Sequence, residues 1–415
     1  MPDMGAVVLE ASQVVTCPGG TAARRGESQS SIGLVTDGAV AIRDGRIEAV
    51  GPRDELRRRL SGYEVIDYSG HVITPGLVDS HTHAVFGRWR LDEYEQRCAG
   101  VPYMEIARKG GGINASVLDL RERSESELVA LGRERLRRML EHGTTTVEVK
   151  SGYGLTVEDE LKMLRVIAEL NRLPWIDLVP TFLGAHAFPP EYGGQRARYV
   201  DLIVGEMIPA VAASGLASFC DVFMEPGVYT AEETRRVLQA AIENGLVPRI
   251  HADEFESSGG AELAVLYGAA SADHLGAVSE AGIDALAGSD TVATLLPGTL
   301  LFLGKANYPP ARRLIERGAA VALATDFNPG SSPTVNLQII MSLACSQLGM
   351  SPAEALVAVT ANGAAALRLG DGRGTLEPGV PADVAVFAVP DFRLIPYLYG
   401  SNHCVAVWKG GGRVH

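Results

Sequence analysis

The sequence predicts an α/β fold, a (β/α)₈ TIM barrel accompanied by a small β domain that is built from both ends of the chain. Three observations favour this fold. Eight short apolar runs alternate with helical stretches between residues 72 and 326, and both ends of the chain are rich in short β-type runs. Five of the nine histidines stand at or just after the ends of apolar runs, which is where a barrel collects its active-site residues.

The two ends of the chain carry the pattern of short strands and turns. The N-terminal part contains VVLEASQVVT and AVAIRDGRIEAVG, and the Asp44-Gly45 pair in the second segment is typical of a hairpin turn. The C-terminal part contains VPADVAVFAV and CVAVWKGGGRV. We therefore predict that residues 1–70 and 367–415 form one small domain and that residues 71–366 form the barrel. Two unrelated edge hairpins are the alternative.

The middle of the chain alternates between strands and capped helices. VITPGLVDSHTH is the first predicted strand, and a capping box from Ser124 to Glu127 opens a helix that ends near Gly143. A helix over 156–170 and a threonine-capped helix, TAEETRRVLQAAIENG, follow later. The remaining predicted strands are TTTVEV, IDLVPTFLGAH, FCDVFME, LVPRIHAD, SADH, TVATLLPG and AAVALATD.

The competing fold is a doubly wound sheet. Such a sheet usually carries a glycine-rich phosphate loop after its first strand, whereas the first strand here ends in histidines. The glycines at 110–112 lack the spacing of a phosphate loop. We interpret them as a flexible loop, with a cradle for substrate as the less favoured use.

The charge, the apolar runs and the cysteines of the sequence limit which partners and which cellular locations we expect. The formal net charge of −13 argues against a nucleic-acid partner, although a local arginine can still bind an anionic small molecule. No apolar run is long enough to predict a membrane span, and the first residues lack a secretory pattern. The five cysteines are scattered without a CxxC motif. We therefore expect neither disulfides nor a thiolate metal site, and we expect a reducing, cytoplasmic location.

The histidines and one aspartate predict a metal site. If the end of the first strand is extended, His81 and His83 point to the same side, because side chains alternate along a strand. His251 and Asp326 end later strands. These four residues can hold one divalent metal with an open position for water, whose pKa such an ion lowers towards about 7. An isolated HxH pair is weak evidence, since surface histidines also pair by chance.

Glu254 and His274 are the predicted proton-handling residues. Glu254 lies three residues after His251, so it can reach a bound water without competing for the metal; a solvent-exposed acid is the alternative. His274 ends the SADH strand and would polarise the electrophile. Lys150 ends the second strand and could be carboxylated to bridge two metals. Because four ligands already suffice for one ion, we favour a single metal and a structural Lys150.

Three residues near other strand ends indicate the substrate. Arg90 lies in the loop after the first strand, Tyr153 follows the second, and His186 ends the third. The guanidinium of arginine binds a carboxylate through two parallel hydrogen bonds. We therefore predict a small-molecule substrate that carries a carboxylate.

The whole pattern resembles the amidohydrolase superfamily and, within it, the imidazolonepropionase family. The resemblance rests on VDSHTHAVFG, GTTTVEVKSGYGLT, TFLGAHAFPPE, HADEF, SADHL and LATDFNPGSSP, which span about residues 72 to 335. It implies hydrolysis of 4-imidazolone-5-propanoate to N-formimino-L-glutamate by a metal-bound hydroxide. It also implies zinc or iron as the metal, a β-sandwich for the small domain, and a homodimer.

The resemblance also assigns roles to individual residues. The implied metal ligands are His81, His83, His251 and Asp326. The implied substrate contacts are Arg90, Tyr153, His186, Glu254, Asn328, Gly330 and Ser331. The implied catalytic residues are Glu254, His274 and Asp326, with the order of their proton transfers left open.

Two segments depart from the pattern of the family. Arg88 and Trp89 stand where smaller residues are usual, so Arg88 is an alternative anchor for the carboxylate. KGGGIN also differs from the usual run, which bears on the choice of ring. Two other functions stay open at this point. A deaminase of a related ring would release ammonia, and an inactive scaffold would be expected to have lost ligands that are all present here.

Overall fold

The computed structural model describes residues 6–101, 105 and 111–415, and within them fifteen strands form two separate sheets. In chain order the strands are β1 Val7–Val15, β2 Leu34–Arg43, β3 Arg46–Pro52, β4 Glu64–Pro75, β5 Leu77–Asp79, β6 Thr144–Lys150, β7 Asp177–Ala185, β8 Phe219–Met224, β9 Val247–Ala252, β10 Ser271–His274, β11 Val292–Leu295, β12 Val321–Leu323, β13 Val384–Phe387, β14 Cys404–Lys409 and β15 Gly412–Arg413.

Most of the helices lie between the strands of the larger sheet. They are α1 Arg53–Arg59, α2 Leu91–Cys98, α3 Ile113–Glu122, α4 Glu125–Glu141, α5 Val157–Leu170, α6 Arg196–Leu202, α7 Ile208–Ser214, α8 Ala231–Glu243, α9 Gly260–Leu266, α10 Glu280–Ala287, α11 Pro297–Phe302, α12 Ala311–Arg317, α13 Leu337–Gln347, α14 Pro352–Ala358, α15 Ala361–Ala366 and α16 Leu394–Tyr397. Short 3₁₀ segments cover Gly26–Ser30 and Pro190–Tyr192, and a π segment, Ile203–Met207, joins α6 to α7.

The smaller sheet is built from both chain ends, as predicted. Its seven strands lie in the order β15-β14-β13-β4-β1-β2-β3. Strand β4 pairs with β1 from the N-terminal part and with β13 from the C-terminal part. One apolar cluster then takes side chains from both parts, including Leu9, Val40 and Ile73 with Val384 and Val386. Burial of these shared side chains stabilises the pairing of the two ends.

The predicted hairpin around Asp44-Gly45 is confirmed. Strands β2 and β3 pair antiparallel, and Asp44 and Gly45 have φ values of 51° and 77°. Positive φ at both central residues defines the type I′ turn, whose twist matches that of the flanking strands. The Asp-Gly pair is favoured there because both residues adopt left-handed backbone conformations at low cost.

The predicted first barrel strand is divided between the two sheets. Strand β4 continues to Pro75 in the small sheet, past the predicted boundary at residue 70, and the barrel begins with β5 at Leu77. A Cβ atom at Gly76 would lie 2.2 Å from Oγ1 of Thr145, so the chain crosses between the sheets directly against β6. Only glycine allows this close approach.

The larger sheet is the predicted barrel. Its eight strands are parallel and lie in the order β5 to β12. Just beyond the strand ends, the Asp326 amide donates to the His81 carbonyl at 3.0 Å, and the His83 amide donates to the Phe327 carbonyl at 2.9 Å. These bonds join the last strand to the first, so the carboxyl ends of all eight strands surround one face.

The predicted caps fix where several barrel helices begin. The Ser124 hydroxyl accepts the Glu127 amide at 3.3 Å, and the Glu127 carboxylate accepts the Ser124 amide at 2.9 Å. Thr230 and Glu233 repeat this reciprocal arrangement at the start of α8. Each pair satisfies two backbone groups that the helix cannot.

Two further predictions concern the loop at 110–112 and membrane spans. Gly110 lies outside the described residues, and Gly112, with φ of 76°, directly precedes α3. Within the described part of the chain, none of the helices combines the length and the apolar character that a membrane crossing requires.

Candidate active site

Five buried histidines meet at the carboxyl end of the barrel. The ring of His81 lies 5.5 Å from that of His83, 4.5 Å from that of His251 and 5.6 Å from that of His274, measured between ring centres. The His186 ring stacks on His83 at 5.0 Å. Each histidine lies at or just past the end of a different strand, apart from the adjacent pair His81 and His83, so the barrel itself brings them together.

Asp326 lies between the first two histidines. Its Oδ1 atom is 3.6 Å from Nε2 of His81 and 3.5 Å from Nε2 of His83. Its Oδ2 atom accepts a hydrogen bond of 2.5 Å from the Thr299 hydroxyl, which fixes the orientation of the carboxylate. Burial raises the pKa of Asp326 to about 6.

The rings of His81 and His251 are oriented by two further aspartates. Nδ1 of His81 lies 2.7 Å from Oδ2 of Asp273, and Nδ1 of His251 lies 3.1 Å from Oδ1 of Asp221. An ionised carboxylate only accepts hydrogen bonds, so each Nδ1 carries the proton and each Nε2 presents a lone pair. Burial also lowers the pKa of His81 well below its ordinary value, which keeps that imidazole neutral.

The donor set fits a metal ion. Nε2 of His81 and Nε2 of His251 are buried and have no hydrogen-bond partner among the described residues. Such atoms are costly unless they bind something. Tetrahedral ligands placed about 2.1 Å from zinc lie about 3.4 Å from each other, close to the measured spacing around Asp326. Two overlapping groups of side chains are therefore able to hold a metal: His81, His83 and Asp326 form one, and His81, His251 and His274 form the other.

His274 and Glu254 form a second pair beside this cluster. Nδ1 of His274 is 3.6 Å from Oε1 of Glu254. Glu254 is buried rather than solvent-exposed, and burial, together with the charges of Asp326 and Glu225, raises its pKa well above the ordinary value. His274 also lies within 4.8 Å of His81 and His251, measured between potential ligand atoms. A proton shared by His274 and Glu254 therefore stays close to the cluster of histidines.

A buried glutamate fixes the loop that carries Glu254. The Glu225 carboxylate accepts the backbone amides of Glu254, Phe255 and Glu256 at 3.0, 3.2 and 2.8 Å. Three such bonds hold this short segment rigidly at the end of β9. The position of Glu254 is therefore determined by the residue that directly follows the neighbouring strand β8.

Tyr153 and His186 form the wall on the other side of His83. The ring of Tyr153 lies 5.9 Å from His83 and 5.3 Å from His186. Nδ1 of His186 donates to the Gly152 carbonyl at 2.9 Å, and burial lowers the pKa of His186 to about 3. The Glu160 carboxylate accepts the amides of Gly152, Gly154 and Leu155 and so shapes this loop.

The structure places the two candidate anchor arginines very differently. The side chain of Arg88 is 69% exposed, and its Nε lies 3.9 Å from Asp119. The side chain of Arg90 is only 11% exposed, and its Nε and Nη1 atoms are buried without a hydrogen-bond partner among the described residues. The Glu93 carboxylate is 3.8 Å away. Arg90 thus offers a buried guanidinium with free donors, and Arg88 does not.

The loop after Asp326 is organised by Asn328. Its Oδ1 accepts the amides of Gly330 and Ser331 at 2.8 and 2.7 Å, and its Nδ2 donates to the Asp326 carbonyl at 2.7 Å and to the Ser331 hydroxyl at 2.9 Å. The sequence predicted a substrate contact for this residue. In the structure its amide group is used to shape the loop that presents Gly330 and Ser331.

Comparison with known proteins shows the family to which this chain belongs. Residues 72–414 match the model of the amidohydrolase family, and residues 38–60 match the model of an imidazolonepropionase-like composite domain of bacteria. The chain belongs to the amidohydrolase family. An imidazolonepropionase of Geobacillus kaustophilus is 50% identical over 97% of this chain and 96% of its own length. An imidazolonepropionase of Brevibacillus brevis is 47% identical with the same coverage.

Two solved structures share the fold of this chain. A guanine deaminase of E. coli superimposes with a TM-score of 0.70 over 99% of both chains at 17% identity. An ochratoxinase of A. niger gives a TM-score of 0.71 over 99% of this chain and 95% of its own at 18% identity. At these identities the likeness concerns the fold alone. These two structures confirm the predicted barrel, while the predicted family is confirmed by the family model and by the relatives at 47–50% identity.

Several residues of the site were missed from the sequence of this amidohydrolase. They are the carboxylates and hydroxyl that orient the predicted residues: Glu148, Glu160, Asp221, Glu225, Asp273 and Thr299. The missed residues that lie in strands could have been recognised from the sequence. Asp221 in FCDVFME and Asp273 in SADH are charged residues inside buried strands, and a fully buried carboxylate requires a partner.

Proposed function

We propose that this amidohydrolase hydrolyses 4-imidazolone-5-propanoate to N-formimino-L-glutamate. The observation that carries the choice of substrate is Arg90, a buried guanidinium with free donors whose charge acts on His186, the ring that stacks on His83. A substrate with a propionate tail would satisfy those donors, since arginine and a carboxylate form two parallel hydrogen bonds. The full-length relatives that are named imidazolonepropionases support the same choice.

The reaction consumes one water. Its oxygen adds to the ring carbonyl carbon, the bond between that carbon and the adjacent ring nitrogen breaks, and the nitrogen gains a proton. The carbonyl carbon becomes a carboxylate that stays in the same, ring-opened product molecule. The chain must therefore orient the ring, remove a proton from water and return a proton to nitrogen.

The metal would be held by His81, His83, His251 and Asp326. A ligand set of three imidazoles and one carboxylate suits zinc or iron, and we propose one such ion per chain. When bound, the ion lowers the pKa of water and polarises the carbonyl.

The side chains around the cluster supply the remaining steps. Arg90 binds the propionate and, with Tyr153 and His186, sets the ring orientation. Glu254 takes the proton of the attacking water and later delivers it to the departing nitrogen, because it is buried beside the cluster and next to His274. His274 then hydrogen-bonds the carbonyl oxygen, where negative charge develops.

The test is a direct assay. Freshly prepared 4-imidazolone-5-propanoate should lose its ultraviolet absorbance in the presence of the protein, and mass spectrometry should identify N-formimino-L-glutamate. No ammonia should be released. Ammonia release from a purine or pyrimidine, without activity on the imidazolone, would instead assign a deaminase.

The oligomeric state and location belong to the same proposal. We propose a homodimer, which the exposed apolar side chains of Tyr397, Leu398 and Tyr399 support as a surface that a second copy would cover. We also propose a cytoplasmic location, because the buried thiols of Cys17 and Cys220 are free and a reducing compartment keeps them so. Sedimentation analysis of the purified protein tests the first of these.

A further inference from the structure

A group of buried charges lies beneath the metal-binding cluster, inside the barrel. Its members come from the strands β6, β8, β9 and β10, and all five side chains have no solvent exposure: Glu148, Lys150, Asp221, Arg249 and Asp273. Three are carboxylates and two are cations. Buried charges on this scale are costly unless each has a partner, so their arrangement calls for a functional reason.

Lys150 connects the members of this group. Its Nζ atom is 2.8 Å from Oε1 of Glu148 and 2.8 Å from Oδ2 of Asp221. Oδ2 of Asp273 lies 4.0 Å from the same nitrogen. A single ammonium group therefore faces three carboxylates that belong to three different strands.

Each of the three carboxylates contacts either a ligand histidine of the metal-binding cluster or the backbone between two of them. Asp221 contacts Nδ1 of His251, and Asp273 contacts Nδ1 of His81. Glu148 accepts the backbone amide of Thr82, the residue between His81 and His83, at 3.0 Å. The ammonium of Lys150 therefore lies beside the three carboxylates that orient three of the four predicted ligands.

The second cation of the group completes this arrangement. Nη2 of Arg249 donates to Oδ2 of Asp273 at 3.1 Å and to the Ser80 carbonyl at 2.8 Å. Arg249 therefore bonds Asp273 directly, while Lys150 lies 4.0 Å from the same oxygen. Among the described residues, Lys150 is the cation that contacts Asp221, at 2.8 Å from Oδ2, while Nδ1 of His251 lies 3.1 Å from Oδ1.

These contacts also decide the state of Lys150. A carboxylated lysine would place a negative group at 2.8 Å from two buried carboxylates, which like-charge repulsion at low dielectric forbids. Lys150 as an ammonium makes the same contacts favourable. A role as a bridging metal ligand is therefore incompatible with this arrangement.

We propose that Lys150 is a positioning residue of the metal site, whose ammonium group holds Asp221, Glu148 and Asp273 so that the ligand imidazoles point their Nε2 atoms at one place. This inference rests on the proposed metal site but not on the proposed substrate. Removal of the ammonium deprives Asp221 and Glu148 of their cationic partner in the barrel interior and leaves them, among the described residues, only their contacts with His251 and with the Thr82 amide. Their displacement moves His251 and the segment between His81 and His83, and metal affinity falls.

The experiment measures zinc affinity without substrate. Metal-free protein competes with a chromophoric chelator for Zn²⁺, and circular dichroism confirms that each variant is folded. Loss of residues that orient metal ligands typically lowers metal affinity by about 10–100-fold, and we expect this for Lys150→Met. Lys150→Arg keeps the charge and should recover part of the loss. His251→Ala, which removes a ligand, should lose more than Lys150→Met.

Lys409 supplies a matched control. It is also a nearly buried lysine that faces two carboxylates, Asp177 and Asp383, but it lies at the contact between the small sheet and the barrel. Lys409→Met should lower the melting temperature and leave zinc affinity at the parental value. If Lys150→Met does not fold, the double variant Glu148→Gln/Lys150→Met removes one anion with the cation, and the same loss of affinity is expected.

Two results would overturn the inference. One is parental zinc affinity in a folded variant that lacks Lys150, and the other is an equal loss of affinity in Lys409→Met. Parental zinc affinity in His251→Ala would have a different meaning, because it would reject the proposed metal site itself. The two failures are therefore distinguishable.

Discussion

The guanidinium of Arg90 occupies the space that a side chain at Gly330 would fill: a Cβ atom built on Gly330 would lie 1.0 Å from Nη2 of Arg90. The two residues come from opposite ends of the barrel sequence, one after β5 and the other after β12. Gly330 has no positive φ, so its role is to leave room rather than to allow an unusual backbone. The contact places Arg90 against the loop that follows Asp326.

This contact makes Gly330→Ala a selective probe of Arg90. The added methyl group must displace the guanidinium, and a misplacement of about 1 Å in a substrate-positioning group can cost roughly 10²-fold in rate. We expect kcat/KM to fall by about that factor while the metal content stays at the parental value. Gly205→Ala is the control, since a Cβ atom there meets no other atom within 4 Å. Unchanged kinetics in Gly330→Ala would show that Arg90 does not need its present position.

A second prediction separates Arg90 from Arg88. Arg90→Ala should lose about 2–5 kcal/mol of substrate binding and transition-state alignment, the range for breaking one partner of a buried charge pair. Arg90→Lys should recover only part of this, because lysine lacks the planar fork. Arg88→Ala should be close to the parent, since its side chain is mostly exposed. Steady-state kinetics measure all three, and the opposite pattern would move the anchor to Arg88.

A third prediction concerns the metal. The parent should contain about one equivalent of zinc or iron per chain, because the two residue groups that could hold a metal share His81, and the single free Nε2 of that ring binds one ion. His251→Ala should lose metal and activity together, and a dialysed parent should regain activity when metal is returned. Elemental analysis provides the measurement. Two equivalents per chain would contradict the single-metal assignment and the role proposed for Lys150.

The sequence predicted the barrel because its strands and helices have distinct periodic patterns. The Asp44-Gly45 hairpin and the capping boxes at Ser124 and Thr230 were also predictable, since each depends on residues that are neighbours in sequence. The division of the run VITPGLV at Gly76 could not be predicted from the sequence. Both halves are apolar, and only their partners show that one half pairs with β1 and β13 while the other joins β6.

The candidate site was predictable only where strand ends carry the residue. His251 lies near the end of β9, and His81 and Asp326 lie just past the ends of β5 and β12, so the barrel fold alone brings them together. Of the orienting residues, Glu148, Asp221 and Asp273 lie within strands, and an interior direction for them depends on the register of the closed barrel. The choice between Arg88 and Arg90 depends on the path of an irregular loop, which has no periodic pattern.

The last prediction concerns Glu254. The attacking water must lose a proton and the departing ring nitrogen must gain one, and a carboxylate beside the cluster can do both in turn. Glu254 is buried, lies 3.6 Å from His274, and is held in place by the bonds from its loop to Glu225. Glu254→Gln keeps the size and polarity of the side chain but cannot accept the proton.

We therefore expect Glu254→Gln to retain metal and a parental melting temperature while its kcat falls by about 10²–10⁴, the usual contribution of a general acid or base. Glu256→Gln is the matched control: it lies on the same loop, and its backbone amide also donates to Glu225. Its kcat should match the parent. If Glu254→Gln turned over at nearly the parental rate, the proton would have to pass through Asp326 or His274, and the buried position of Glu254 would need another explanation.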